Sequence, residues 1–177
     1  MLLKTLSTAS LVAPASSNSH LREPRITDGA AIHRLVRACP PLDLNSPYAY
    51  LLLCAHHAAT CVVAGRGADP VGFVSAYRPP AQPHTAFIWQ VAVAPEARGQ
   101  GLALHMLDHL LARPALAGCR WLETTVTPSN AASRRVFESL AVRLNAQCAE
   151  RTFFTKEDFQ DPHHEPEMLI RIGPCFA

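Results

Sequence analysis

The fifteen-residue stretch from Trp89 to Ala103, WQVAVAPEARGQGLA, constrains the chain more than any other. Val91 and Val93, two apart, mark an apolar strand. Pro95 ends it, because proline has no N–H to give to a sheet ladder. Arg98-Gly99-Gln100-Gly101 follows, and a helix with apolar periodicity begins at once. A glycine turn at a helix start presents free backbone N–H groups at the positive end of the helix dipole. Such a place holds phosphate, and the Arg98 guanidinium adds a charge for it. The G-x-G-x-x-G spacing of dinucleotide folds is absent, and no Gly-Lys-Ser/Thr follows as in a Walker loop.

Around this stretch the chain has room for one domain with a real core: 177 residues, 49% hydrophobic and 17% charged. A net charge of +2, with no Lys/Arg run, gives no reason to expect nucleic acid or a membrane as partner. Six cysteines, at 39, 54, 61, 119, 148 and 175, form no C-x-x-C. That speaks against a zinc site and a disulfide framework, so we expect no metal and a reducing cytoplasm. His105 and His109 are four apart on one helix but lack carboxylate or cysteine partners, and read as a solvated face. Ser, Thr and Pro interrupt the apolar runs of the first twenty residues before a signal sequence can form. We expect a disordered tail over residues 1–20 and one domain over 21–177.

Alternation and helical spacing predict the order β-α-α-β-β-β-α-β-α-β-β, an α/β domain with a largely antiparallel sheet flanked by helices. An edge strand at 21–26 tolerates Pro24. Thr27 and Asp28 are N-caps for a helix that Pro40 and Pro41 end. Ser46 with Pro47 starts a second helix, ending near His56 and His57. Strands follow at 60–64, 71–77 and 87–93. Leu104, Leu107 and Leu111 mark the apolar side of the helix after the glycine turn. A strand at 120–126, a helix carrying Ala132, Val136, Phe137 and Leu140, and strands at 148–154 and 168–172 complete the domain. The β-α-β unit over 87–126 is a parallel, right-handed crossover. Asp43 and Asn45 fall between the first two helices, where both also suit a turn.

Two motifs together carry a family resemblance. Arg98-x-x-Gly101-x-Ala103 resembles the pyrophosphate loop of the GNAT N-acetyltransferases, and Asn130-x-x-Ser133-x-x-x-Phe137-Glu138-x-Leu140, placed after a strand, resembles their second signature. The chain is identified as a member of that superfamily over about residues 22–176. Several longer strings resemble the GNAT enzymes that acetylate L-2,4-diaminobutyrate on the route to ectoine: Pro41-Leu42-Asp43-Leu44-Asn45-Ser46, Trp89-Gln90-Val91-Ala92-Val93 and Leu122-Glu123-Thr124-Thr125-Val126-Thr127-Pro128-Ser129-Asn130. The tail Met168-Leu169-Ile170-Arg171-Ile172-Gly173-Pro174 does too.

The resemblance implies a sheet with a splayed central strand pair, acetyl-CoA as co-substrate, a small diamine as acceptor and a homodimer. It implies that Val91, Val93, Arg98, Gly99, Gln100, Gly101, Ala103, Asn130 and Ser133 bind the cofactor, with a backbone N–H near Val91 serving the thioester oxygen. It places Asp43, Asn45, Tyr48, Trp89, His164 and Glu167 in the substrate pocket. Glu167 binds the amine and receives its proton, and His164 orients it or acts itself. Where many GNAT enzymes carry a tyrosine acid this chain has Phe137, so the hydroxyls of Tyr48 and Ser133 become the candidates for protonating the leaving thiolate. Ala141-Val142 replaces a frequent Gly-Phe. Two other readings stand beside this one. An acetyltransferase for a polyamine or aminoglycoside needs a longer acidic lining than this chain supplies. A non-catalytic acyl-CoA sensor fits Phe137 but not the amine-binding acids.

Overall fold

The computed structural model describes residues 20–66 and 69–175. Among them seven strands form: β1 (His20–Arg22), β2 (Cys61–Arg66), β3 (Asp69–Tyr77), β4 (Thr85–Val93), β5 (Trp121–Val126), β6 (Gln147–Phe154) and β7 (Glu167–Gly173). They make one sheet in the order β1-β2-β3-β4-β5-β7-β6, antiparallel everywhere except between β4 and β5. The helices are α1 (Gly29–Arg37), α2 (Pro47–His56), α3 (Leu102–Leu111), α4 (Ala131–Arg143) and the short α5 (Lys156–Phe159). This is the mixed α/β architecture expected. The tail expected over 1–20 lies outside the described residues, apart from His20, which opens β1.

Helices cover both sheet faces. Tyr50 of α2 packs edge-on against Phe73 of β3. Met106 of α3 lies against the neighbouring Gly72, whose side points to the other face. Ile32, Val36, Tyr50 and Phe73 anchor one layer, and Met106, Leu107, Leu110 and Leu140 the other, all with almost no exposure.

The parallel pairing of β4 with β5 spans only Thr85↔Trp121, Ala86↔Leu122 and Phe87↔Glu123. Beyond it β4 continues with β3 and β5 with β7, so the sheet opens like a V. A bulge sits where the opening begins: Ser75 faces Gln90 and Ala76 faces Ile88, leaving Trp89 without an opposite residue. A bulge bends its strand and adds twist, which turns β4 away from β5.

Several local expectations are corrected. β1 stops at Arg22, so Pro24 lies beyond the strand instead of within it. Residues 26–28 form a single tight turn before α1. Asp28 accepts from the Arg25 N–H at 2.6 Å and pairs with Arg22. Ser46 caps α2 as expected, accepting from the Ala49 N–H. The buried stripe of α3 is Leu102, Met106, Leu107 and Leu110, while Leu104 and Leu111 are only half-buried. The helix is apolar on most sides, so spacing alone did not select the inner face. In α4 the inner residues are Phe137, Leu140 and Ala141; Ala132 is exposed. Glu123 is buried and ion-paired with Arg171 at 3.2 Å.

Candidate active site

The mouth of the V holds two adjoining clefts that share Pro41, Leu42 and Asn130. The larger, about 540 Å³, runs from Val91 and Val93 along the glycine turn and α3 to Asn130, Ser133 and Phe137 on α4. Its walls offer backbone donors. The Ala94 N–H donates to Val71 on β3. N–H groups alternate sides along a strand, so those of Val93 and Val91 point away from β3, into the opening. The Val93 carbonyl on that side accepts from Arg98 Nε at 3.0 Å and Cys39 Sγ at 3.3 Å.

The turn itself is shaped by two left-handed residues, Gly99 at φ 73° and Gly101 at φ 74°, where a Cβ would be strained although it would meet nothing. Gly101 occupies the N-cap position of α3 and supplies no side-chain cap. The first N–H groups of α3 therefore stay available to an anion. Arg98 both staples the turn to Val93 and lines the cleft, as do Ala103 and Ser133. Gln100, expected among the cofactor residues, does not line the cleft; its Nε2 donates back to the Glu96 carbonyl. Asn130 Oδ1 accepts from the Ser133 N–H at 3.1 Å, capping α4 at the junction of the two clefts.

The smaller cleft, about 320 Å³, is lined by Asp43, Trp89, Gln90, Thr125, Thr127, His163, His164, Glu165 and Glu167, among others. It brings three carboxylates together and no lysine or arginine. Burial pushes the Glu167 carboxyl above the usual carboxylate range; a hydrogen bond with Thr125 opposes this, Asp43 and Glu165 add to it, and His164 opposes it again. His164 stacks on Phe159 of α5 at 3.7 Å. Its Nδ1 lies 2.6 Å from the Glu165 carbonyl oxygen, which can only accept. We therefore assign a proton to Nδ1. Glu165 accepts from both the N–H and the hydroxyl of Ser129, tying the loop of His164 to the loop of Asn130.

Asn45 and Tyr48 are not brought to this cleft. Asn45 contributes its backbone N–H to Tyr50 Oη at 3.3 Å. Tyr48 is 67% exposed, because residues two apart on a helix face nearly opposite ways and Tyr50 is the one turned inward. Sequence reasoning missed Gln90, Thr125, Glu165 and the His164–Phe159 stack. Only the short capping pattern Thr155-x-x-Asp158 hinted at α5. Among the described residues no group of three or more His, Cys, Asp or Glu is placed to hold a metal, and no helix is long and apolar enough to cross a membrane.

The sequence profile of the acetyltransferase (GNAT) family matches residues 30–141. The chain belongs to the GNAT acetyltransferase family. This acetyltransferase is 55% identical over 167 residues to the L-2,4-diaminobutyric acid acetyltransferase of Bordetella parapertussis, spanning 93% of this chain and 90% of that one. It is 44% identical to the Halomonas elongata protein of the same name over 93% of this chain and 85% of that one. Among solved structures it resembles diaminobutyrate acetyltransferase from Paenibacillus lautus, in complex with its substrate L-2,4-diaminobutyric acid and coenzyme A. That likeness has 42% identity and a TM-score of 0.85, and covers 90% of this chain and 96% of that one.

Proposed function

We propose that the protein transfers the acetyl group of acetyl-CoA to the 4-amino group of L-2,4-diaminobutyrate, giving N4-acetyl-L-2,4-diaminobutyrate. The observation that carries this reading is the meeting, at Asn130, of a backbone-lined cleft with an acid-lined one. The first fits acetyl-CoA: the uncapped start of α3 and Arg98 suit the pyrophosphate, and the Val93 and Val91 N–H groups suit the pantetheine and the thioester oxygen. The second fits a diamine, since it has three carboxylates for two ammonium groups. Neutral donors, such as the Trp89 indole and the Thr127 hydroxyl, remain for the substrate's own carboxylate.

In the reaction the 4-ammonium first loses a proton to Glu167, directly or through water. The raised affinity of that carboxyl for protons suits it to the task. The free amine attacks the thioester carbon. Negative charge gathers on the carbonyl oxygen, where the Val91 N–H stabilises it. The C–S bond then breaks, an amide forms, and the thiolate takes a proton. Ser133 supplies the hydroxyl in the cofactor cleft for that last step, since Phe137 has none and Tyr48 lies outside. Asp43 holds the second ammonium and Trp89 packs over the carbon chain.

We also propose a homodimer. Strand β6 ends the sheet with all eight residues exposed, Phe153 and Phe154 among them, and Phe159 is exposed beside it. Light scattering on the purified protein decides between one copy and two.

Thiol release from acetyl-CoA, measured with L-2,4-diaminobutyrate, ornithine, spermidine and an aminoglycoside, tests the reaction. A strong preference for diaminobutyrate, with the acetyl group on the 4-nitrogen by NMR, supports it. Turnover only with another amine removes the substrate assignment. Acetyl-CoA binding without any turnover favours a sensor.

A further inference from the structure

A chain of buried polar groups lies beneath the substrate cleft and the reaction does not use it. Gln90 is 5% exposed and Tyr50 is fully buried. Gln90 Nε2 donates to the Asp43 carbonyl at 2.7 Å. Gln90 Oε1 accepts from Tyr50 Oη at 3.3 Å, and Tyr50 Oη in turn accepts from the Asn45 N–H at 3.3 Å. The loop carrying Asp43 is thus fastened at two backbone points, on either side of Leu44: directly to Gln90 on β4, and through the Tyr50 hydroxyl that Gln90 holds. His33 of α1 and Phe73 of β3 hold the Tyr50 ring edge-on from two sides, so its hydroxyl has little freedom.

No other hydrogen bond among the described residues holds the Asp43 carbonyl or the Asn45 N–H. The Asp43 carboxylate is exposed, has no ion pair among the described residues, and lines the same cleft as Glu167, where its charge disfavours a second negative one. Strand alternation makes the fastening possible. Ser75↔Gln90 continues the register of Phe73↔Ala92, so Gln90 lies on the face of Phe73, against which Tyr50 packs, and the slip at Trp89 comes just beyond it. One residue therefore holds the backbone that carries the Asp43 carboxylate into the cleft of Glu167.

We propose that Gln90 is a positioning residue that sets the separation of Asp43 from Glu167 and thereby selects the length of the diamine. It acts through the Asp43 backbone and not on the reacting atoms. This inference rests on the diaminobutyrate reading above. Glutamine suits the place because it donates and accepts at once from a buried site, and losing either bond leaves a buried polar group unpaired.

The test compares Gln90→Met and Tyr50→Phe with wild type, using diaminobutyrate and its one-carbon-longer homologue ornithine, with KM measured for each amine and for acetyl-CoA. Methionine keeps the volume and the unbranched shape, so the core stays filled. Gln90→Met raises KM for diaminobutyrate about tenfold, the scale of a lost buried hydrogen bond. It narrows the preference over ornithine and leaves KM for acetyl-CoA unchanged. Tyr50→Phe moves in the same direction by less, since the Gln90–Asp43 bond survives. In an Asp43→Asn background, Gln90→Met adds little further, because its effect passes through Asp43. Equal rises in both KM values, full additivity with Asp43→Asn, or an unchanged ornithine preference overturns the proposal. A wild-type protein that does not acetylate diaminobutyrate fails the function; an active wild type with an indifferent Gln90→Met fails only this inference.

Discussion

The two clefts are built by different means. The backbone donors of the cofactor cleft come from one contiguous stretch, a strand end, a glycine turn and a helix start within 91–103, with residues 39–42 and α4 closing its sides. The substrate cleft is made of side chains from four separate places: Asp43 between α1 and α2, Trp89 and Gln90 on β4, Thr125 on β5, and His164 to Glu167 at the start of β7. A phosphate chain needs donors and a dipole, which any sequence with the right turn supplies. A particular diamine needs charges at set distances, which only tertiary packing supplies. The difference predicts that substitutions in one cleft leave the other's ligand alone.

The largest break comes at Glu167. Glu167→Gln lowers kcat about 10²–10⁴-fold, the usual worth of a positioned base, with KM for acetyl-CoA unchanged in a thiol-release assay. Asp43→Asn is milder. It raises KM for the diamine about tenfold and leaves kcat within a few-fold of wild type.

On the cofactor side, Gly101→Ala puts a Cβ where the only penalty is the left-handed backbone, about 1–2 kcal/mol. It weakens CoA binding several-fold and lowers Tm by a few degrees in calorimetry. The kcat of CoA-saturated enzyme changes little. Gly101→Asn, better suited to that backbone, falls between the two.

Acid titration sharpens the comparison. The proposed mechanism needs Glu167 ionised, so kcat/KM for the diamine is expected to fall as pH drops through a pKa above the ordinary carboxylate value. Stability runs the other way. A carboxyl whose folded pKa is raised binds its proton more tightly in the folded state, so its ionisation destabilises the fold at pH above that pKa. Glu167→Gln therefore melts higher than wild type at neutral pH. The advantage fades as pH falls through the folded pKa towards the unfolded one. The smallest effect belongs to Tyr48→Phe: an exposed hydroxyl outside both clefts leaves kcat and both KM values within about twofold.

The same contrast explains what could be read before the fold was known. The strand, Pro95, the glycine pair and the helix onset are local, and alternation with turn chemistry revealed them. Ser46 announced its cap for the same reason. Trp89 without an opposite residue could not be read, because a bulge depends on the partner strand, and the partnership of Gln90 with Tyr50 spans forty positions. Asp43, His164 and Glu167 were named through family resemblance, and the fold gathers them. Asn45 and Tyr48 came by the same route, and the inward turn of Tyr50 leaves them aside. The inner face of α3 was misread because Leu104 and Leu111 are as apolar as the buried residues beside them.

Calorimetric titration of coenzyme A into wild type, Glu167→Gln and Gly101→Ala protein tests the division between the clefts most directly. The account predicts that Glu167→Gln binds as wild type does while Gly101→Ala binds several-fold more weakly. Weaker binding by Glu167→Gln together with unchanged binding by Gly101→Ala contradicts it.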